Sequence, residues 1–324
     1  MVIGAAICLS VAFAHPARSE SATALHGASQ YGESHVVTRT LERFAELVRQ
    51  YYGKPVELTL HQDASRGLER QYFALMGKGG SIDYAIVAPV HMIDASAMAR
   101  LIEAPFLFRN AAQWNAALGN DALKPFADAV AARADVMIIG FAGGSARHVF
   151  AAAPPADGTL KGLTLRVPGA PPWHEVFEGV GAMPRVVPAS ALYNEIRKGA
   201  LAATEGDLAT IEAMKLYEVA PFLVQSAHTI AVRPICFSAK TFQSLPAELQ
   251  EAILKAGVEA GAYGRTLELA ADAARLETLE QEGRLRRAAF SARADMKVRA
   301  DPVLANYGRE IGAEALLGAI EAVK

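Results

Sequence analysis

The sequence predicts an α/β protein of two lobes, and three observations carry that expectation. Short β-rich runs alternate with helical patterns along most of the chain, the arrangement that builds sheets covered by helices on both faces. The 324 residues, 52% of them apolar, suffice for two units of roughly 150 residues each. From Pro246 to about Glu282 the only breakers are Gly257, Gly261 and Gly264, so the stretch reads as one helix able to span both lobes. Two ordinary helices broken near Gly261–Gly264 fit the same pattern.

In chain order, residues 2–14 form an apolar run too short to cross a bilayer, with Ala12 and Ala14 offering an A-x-A-like cleavage site. Residues 1–19 are therefore expected to be a signal peptide; a buried first strand is the other reading, because the run lacks a basic n-region. Val37, Leu41, Phe44 and Val48 follow helical spacing, Gly53 supplies a stop, and Val56–Leu60 alternates as a strand. Leu68–Met76 reads as a helix ended by Gly77, and Ile82–Val87 as a buried strand running into Pro89. Pro105–Phe108 is a compact apolar turn and 111–132 is helical. Val136–Phe141 is an apolar strand broken by Gly143–Gly144 and resumed over Arg147–Ala151, a candidate crossover between lobes.

Leu163, Leu165 and Val167 share one face of a strand while Thr164 and Arg166 share the other, before Pro168–Gly169 ends it. Arg166 thus sits near a strand's C-terminal end, where open α/β sheets bind ligands. Ser190 can cap a helix running through Lys198, Gly199 can end it, Leu201–Thr204 can return as a strand, and Asp207 can cap the next helix.

Composition and motifs exclude several function classes. Charge is balanced, 32 Lys+Arg against 34 Asp+Glu with no like-charge run, which gives no footprint for nucleic acid or a polybasic membrane patch. Cys8 lies in the expected signal, leaving Cys236 alone between Ile235 and Phe237; a solitary thiol there reads as core, with no disulfide and no Cys-based metal site. His174-Glu175 is followed by Glu178 rather than a second His, Gly77–Gly80 does not match a dinucleotide fingerprint, and no serine sits in a G-x-S-x-G elbow. No cofactor, no metal and no catalytic constellation is expected.

A series of short stretches in one order carries a resemblance: PFLFRNAAQW at 105–114, GGSARHVF at 143–150, LKGLTLRVPG from Leu160, Gly181–Pro184, Tyr193–Ile196, Thr204-Glu205, Leu208–Ile211, KLYEVAPFL at 215–223 and SAKTFQSLPAELQEAI at 238–253. The chain resembles the DctP-like substrate-binding proteins of tripartite ATP-independent periplasmic (TRAP) transporters over nearly its whole length. The resemblance implies a type II-like bilobal periplasmic-binding-protein fold. Two mixed sheets are joined by crossing strands and one long helix, and they close on ligand by a hinge. Lobe 1 would be 22–144 completed by about 231–265, and lobe 2 would be 145–230 completed by about 266–324.

The resemblance implies a non-enzymatic, monomeric periplasmic protein. It captures a small organic acid between the lobes and hands it to the small and large membrane subunits of a TRAP transporter. An ATP-driven importer's binding protein, or a sensor or enzyme on the same scaffold, are the alternatives. Arg166 matches the arginine that anchors the ligand carboxylate, where a planar guanidinium donates two parallel hydrogen bonds; an arginine paired with a core carboxylate is the plainer alternative. Arg147 matches a second pocket arginine, and Glu69 a polar contact from the first lobe, or else a solvated helix N-terminus. Trp173 would pack on the ligand's apolar face and Tyr193 offer a hydroxyl, unless either is ordinary core. Two departures stand out: Ala189 replaces an aromatic residue, and Glu205-Gly206-Asp207 replaces Glu-Asn-Pro, so Gly206 stands where a ligand-contacting Asn is common. The carboxylate anchor carries over; the specificity of the best-known relatives does not.

Overall fold

A computed structural model of the chain describes residues 23–169 and 172–323. The expected signal peptide and Cys8 lie outside the described residues. Among those residues, no helix is long and apolar enough to cross a membrane.

The first unit is β1 (Thr23–Ala28), α1 (Val36–Tyr52), β2 (Val56–His61), α2 (Glu69–Lys78), β3 (Tyr84–Ile86), α3 (Met98–Ile102), α4 (Ala111–Gly119) and α5 (Lys124–Ala134). The second is β4 (Val136–Ala151), β5 (Thr164–Val167), α6 (Trp173–Gly179), β6 (Met183–Val186), α7 (Leu192–Arg197), β7 (Ala203–Gly206) and α8 (Leu208–Ala213). The chain then returns through β8 (Phe222–Ser238), α9 (Ala239–Ser244), α10 (Ala247–Gln281), β9 (Arg286–Ala288), α11 (Arg293–Glu310) and α12 (Glu314–Ala322).

The strands follow the order β2-β1-β3-β8-β4-β7-β5-β6, with β9 on the other side of β8. β4 and β8 pair antiparallel from Val136↔Ser238 to Ala151↔Phe222, so this ribbon belongs to both ends of the sheet. One end of it pairs with β3 through Ala85↔Cys236, and the other with β7 through Val149↔Glu205. Alternation assigns the layers. Tyr84 and Ile86 join Leu41, Phe44 and Ile253 under α1 and α10, while Ala85 faces Met76 and Phe126 under α2 and α5. At the far end Phe150 packs with Leu192, Ile196 and Ile211 of α7 and α8, and Val149 turns to the layer holding Val176 and Phe177 of α6.

Several boundaries differ from the periodicity for physical reasons. β4 does not stop at Gly143–Gly144; both adopt positive φ (106° and 103°), and the pairing with β8 slips register between Gly143 and Ala146, so the glycines mark a bulge inside a continuous crossing strand. The helix begun at Glu69 runs through Gly77, which lacks a side chain because a Cβ there would lie 2.4 Å from the Ala134 carbonyl oxygen. The 111–132 helix is two, parted at Asn120–Asp121, where Asp121 is left-handed (φ 52°).

α10 is one unbroken helix of 35 residues. Its glycines are sites of close approach: a Cβ at Gly257 would fall 2.4 Å from the Ile139 carbonyl oxygen, and one at Gly261 2.6 Å from that of Phe141. Helix propensity is given up there so that α10 can lie on the β4 backbone. α12 packs on α11 and also on α4 and α5. There Gln113 Nε2 donates to the Ile320 carbonyl (2.9 Å) and Arg109 to that of Val323 (2.7 Å).

Candidate ligand-binding cleft

Three elements pass between the lobes, β4, β8 and α10, and one buried carboxylate ties them together. Glu268 of α10 accepts from Arg233 Nε of β8 (2.9 and 3.1 Å) and from Ser145 Oγ of β4 (2.6 Å). A carboxyl group this buried needs such partners.

On the second lobe, the strand pairing His148↔Gly206 sets β7's last residues beside Arg147. Arg147 grips Glu205 with two parallel bonds, Nε to Oε2 at 2.7 Å and a terminal nitrogen to Oε1 at 2.8 Å, while its other terminal nitrogen reaches Asp207 at 3.3 Å. Burial alone would raise the Glu205 carboxyl, but the Arg147 guanidinium and a bond from His228 hold it down at about 2. Burial keeps His228 below its ordinary range and neutral. Its Nε2 faces Glu205 at 3.4 Å and its Nδ1 faces the Ser226 hydroxyl at 2.8 Å. Asp207 also caps α8, accepting from the Thr210 N–H at 2.7 Å, the role its position predicted. Gly206 lies buried between these two acids.

Arg166 stands next to this cluster in a different state. β5 pairs with β7 through Arg166↔Thr204. The Arg166 Nε donates to the Val187 carbonyl at 3.1 Å, yet its terminal fork makes no hydrogen bond among the described residues and comes no nearer than 3.7 Å to Glu205. Burial and the neighbouring Arg147 cation work against its charge, and only the shared Glu205 favours it. Arg166 is therefore not the saturated core ion pair that the sequence left open; Arg147 is.

The remaining expected residues divide. Trp173, 6% exposed, covers the Arg147 guanidinium at 5.7 Å and meets His228 edge-on at 5.8 Å, so its ring backs the arginine cluster. Glu69 is buried rather than solvated: it accepts from Gln30 Nε2 (3.0 Å) and the Ala88 N–H (2.8 Å). Tyr193 is not brought to the cluster. Its hydroxyl donates to Glu218 at 2.7 Å and its ring packs on the α7–α8 core. His174 pairs with Glu178 on the surface.

Sequence patterning singled out neither Arg233 nor Glu103. Each was marked by one signal, a lone charge inside an apolar run (Ile230–Phe237 and Leu101–Phe108), which demands a partner or a purpose. Glu103 is half-buried at the C-terminus of α3. Burial pushes its carboxyl up to about 7, although the Arg147 and Arg233 charges pull the other way.

Two lobes joined by crossing strands and a spanning helix, with arginines gathered at the junction, define a bilobal solute-binding protein. The chain belongs to the DctP family, the bacterial extracellular solute-binding proteins of family 7, whose model matches residues 27–310. It is a TRAP-transporter solute-binding protein, not an enzyme. A solute-binding protein of Sulfitobacter sp. (strain NAS-14.1) is 39% identical over 323 residues, 99% of this chain and 97% of that protein. The crystal structure of a TRAP periplasmic solute-binding protein from Sulfitobacter sp. NAS-14.1 with bound α-D-taluronate, 40% identical, superposes with a TM-score of 0.77 over 92% of this chain and 97% of that one. An apo, open, partially disordered structure from Rhodobacter sphaeroides, 21% identical, superposes with a TM-score of 0.85 over 93% of this chain and all (100%) of that one.

Proposed function

We propose that this chain captures a sugar acid of the uronate class in the interlobe cleft, with Arg166 as the carboxylate anchor, and delivers it to the small and large membrane subunits of a TRAP transporter. The carrying observation is the unengaged Arg166 fork beside a fully engaged Arg147. A planar fork that makes no protein hydrogen bond and shares its one nearby anion, Glu205, with Arg147 suits a ligand carboxylate. The uronate class is supported by the taluronate held by the 40% identical Sulfitobacter protein. In this reading Arg147, Trp173 and Gly206 shape the floor around the anchor, Glu69 holds Gln30 and the strand end at Ala88, and Tyr193 serves the second-lobe core. The protein works as a periplasmic monomer freed of residues 1–19. Its moving units are 22–144 with about 231–265, and 145–230 with about 266–313, residues 314–323 riding with the first.

Calorimetric titration of the purified chain with D-taluronate tests the anchor. Each charge-assisted bond contributes about 1.5–3 kcal/mol, so Arg166→Ala should weaken binding at least ~100-fold. Arg166→Lys, which keeps charge and loses the fork, should recover only part of it. Unchanged affinity in Arg166→Ala would remove Arg166 from the ligand.

A further inference from the structure

In the first lobe β4 is the last strand of its sheet. From Val136 to Gly143 it pairs with β8 alone, and β7 joins its other edge only from His148 onward. Among the described residues no further strand continues the ladder. The outer edge of β4 over residues 138–141 therefore floors a groove between α10 and the pair α4 and α5. Tight packing keeps this groove open. A Cβ at Gly140 would fall 2.1 Å from the Gly257 carbonyl oxygen, so neither glycine can offer a side chain to fill the notch. The space measures about 690 Å³, within the range of small-molecule sites, roughly 300–1,000 Å³. Its lining includes neither Arg166 nor any member of the Arg147–Glu205–His228 cluster, so it is separate from the cleft.

The groove joins apolar walls to one unmatched cation. Leu254 and Val258, one turn apart on α10, line it while 41% and 64% exposed, and Ile138 and Leu118 line it from β4 and α4. Apolar side chains gathered in a concave place mark a surface that receives something apolar. Arg265, half-buried, stands in the same lining. Its Nε donates to Asn115 Oδ1 at 3.0 Å and one terminal nitrogen donates to the Phe141 carbonyl. The other terminal nitrogen has no acceptor, and no carboxylate pairs with this guanidinium among the described residues. Burial works against its charge with no anion to offset it. The remaining charges of the lining are accounted for: Lys124 Nζ holds both oxygens of Asp128 at 2.7 Å, and Asp121 is exposed on its turn.

We infer that this groove is a second ligand site, which takes an amphipathic carboxylate with its apolar body on Leu254, Val258 and Ile138 and its charge on the open nitrogen of Arg265. A sugar acid, hydroxylated along its length, would leave those walls unmatched, and a neutral apolar molecule would leave the cation unmatched. The groove and the cleft thus take different classes of acid.

Octanoate and 1-octanol share an apolar chain and differ in the charge of the head group. Both are titrated calorimetrically at pH 7 into wild type, Arg265→Gln, Val258→Asp and Arg166→Ala. Wild type should bind one octanoate ~10-fold or more tighter than octanol, the order of one charge-assisted hydrogen bond. Arg265→Gln should remove that preference. Val258→Asp, at an exposed position, puts a charge into the apolar wall and should weaken both probes ~10-fold. Arg166→Ala should bind octanoate as wild type does. No octanoate binding by wild type, or octanol bound equally well, overturns the site, as does an undiminished preference in Arg265→Gln. If Arg265→Gln does not fold, Val258→Asp decides, and unchanged octanoate affinity there overturns the site. Octanoate lost in Arg166→Ala would place it in the sugar-acid cleft and overturn the groove equally.

Discussion

Replacing Glu205 by Gln tests whether the second lobe depends on its buried ion pair. Glu205 has no exposed side-chain surface, and its carboxyl sits at about 2 against an ordinary 4.5. A group depressed on folding stabilises above its unfolded value and loses that contribution as pH falls toward its folded value. That depression is worth about 3 kcal/mol at pH 7, falls by more than half by pH 3, and vanishes below about pH 2. Glutamine keeps the shape and removes the charge, leaving Arg147 with only Asp207 and His228 without its anion. Breaking a buried pair from one side costs about 3–5 kcal/mol, consistent with that figure. Urea unfolding of both chains, followed by far-ultraviolet circular dichroism at pH 7, 5, 4 and 3, measures the gap. It should stay near its full value down to about pH 5 and then narrow by half or more at pH 3. A gap below 1 kcal/mol at pH 7, or one as wide at pH 3 as at pH 7, would refute the reasoning.

Two further outcomes follow from packing. Gly261→Ala gains about 1 kcal/mol of helix propensity but drives a methyl to 2.6 Å from the Phe141 carbonyl; the clash should win by about 1–3 kcal/mol, seen as a lower urea midpoint, and a higher midpoint would show that α10 lifts off β4 freely. Cys236 is wholly buried and its thiol is pushed well above its ordinary range by that burial; iodoacetamide at pH 8 should leave the native chain unlabelled and label it fully in urea, and rapid native labelling would place Cys236 at an accessible surface.

Much of the lobe framework was legible from short-range signals. The 3.6-residue spacing of Val37, Leu41, Phe44 and Val48 becomes the buried face of α1, and Gly53 its left-handed cap (φ 63°). Asp207 caps the helix it precedes, and Arg166 stands on the strand where its alternation put it. These signals act between residues a few positions apart, and the energy that enforces them is local, so the sequence alone determined an α/β chain with an arginine at a strand end, while one long helix or two over 246–282 stayed open until α10 lay on β4.

What only the tertiary structure decided is which distant groups meet. Gly143–Gly144 reads locally as a stop; it becomes a bulge because β8 is there to continue the ladder. Gly77 looks like a helix end until the Ala134 carbonyl arrives beside it. α12 reaches α4 as well as α11 because Gln113 and Arg109, more than 200 positions away, offer donors to the carbonyls at its end. The two arginines that the sequence offers as pocket residues part company for the same reason. Glu205, 58 residues from Arg147, closes on that arginine with both oxygens and leaves Arg166 its fork. A guanidinium's free or bound state depends on which carboxylate the sheet order brings within 3 Å of it, and no local period carries that information.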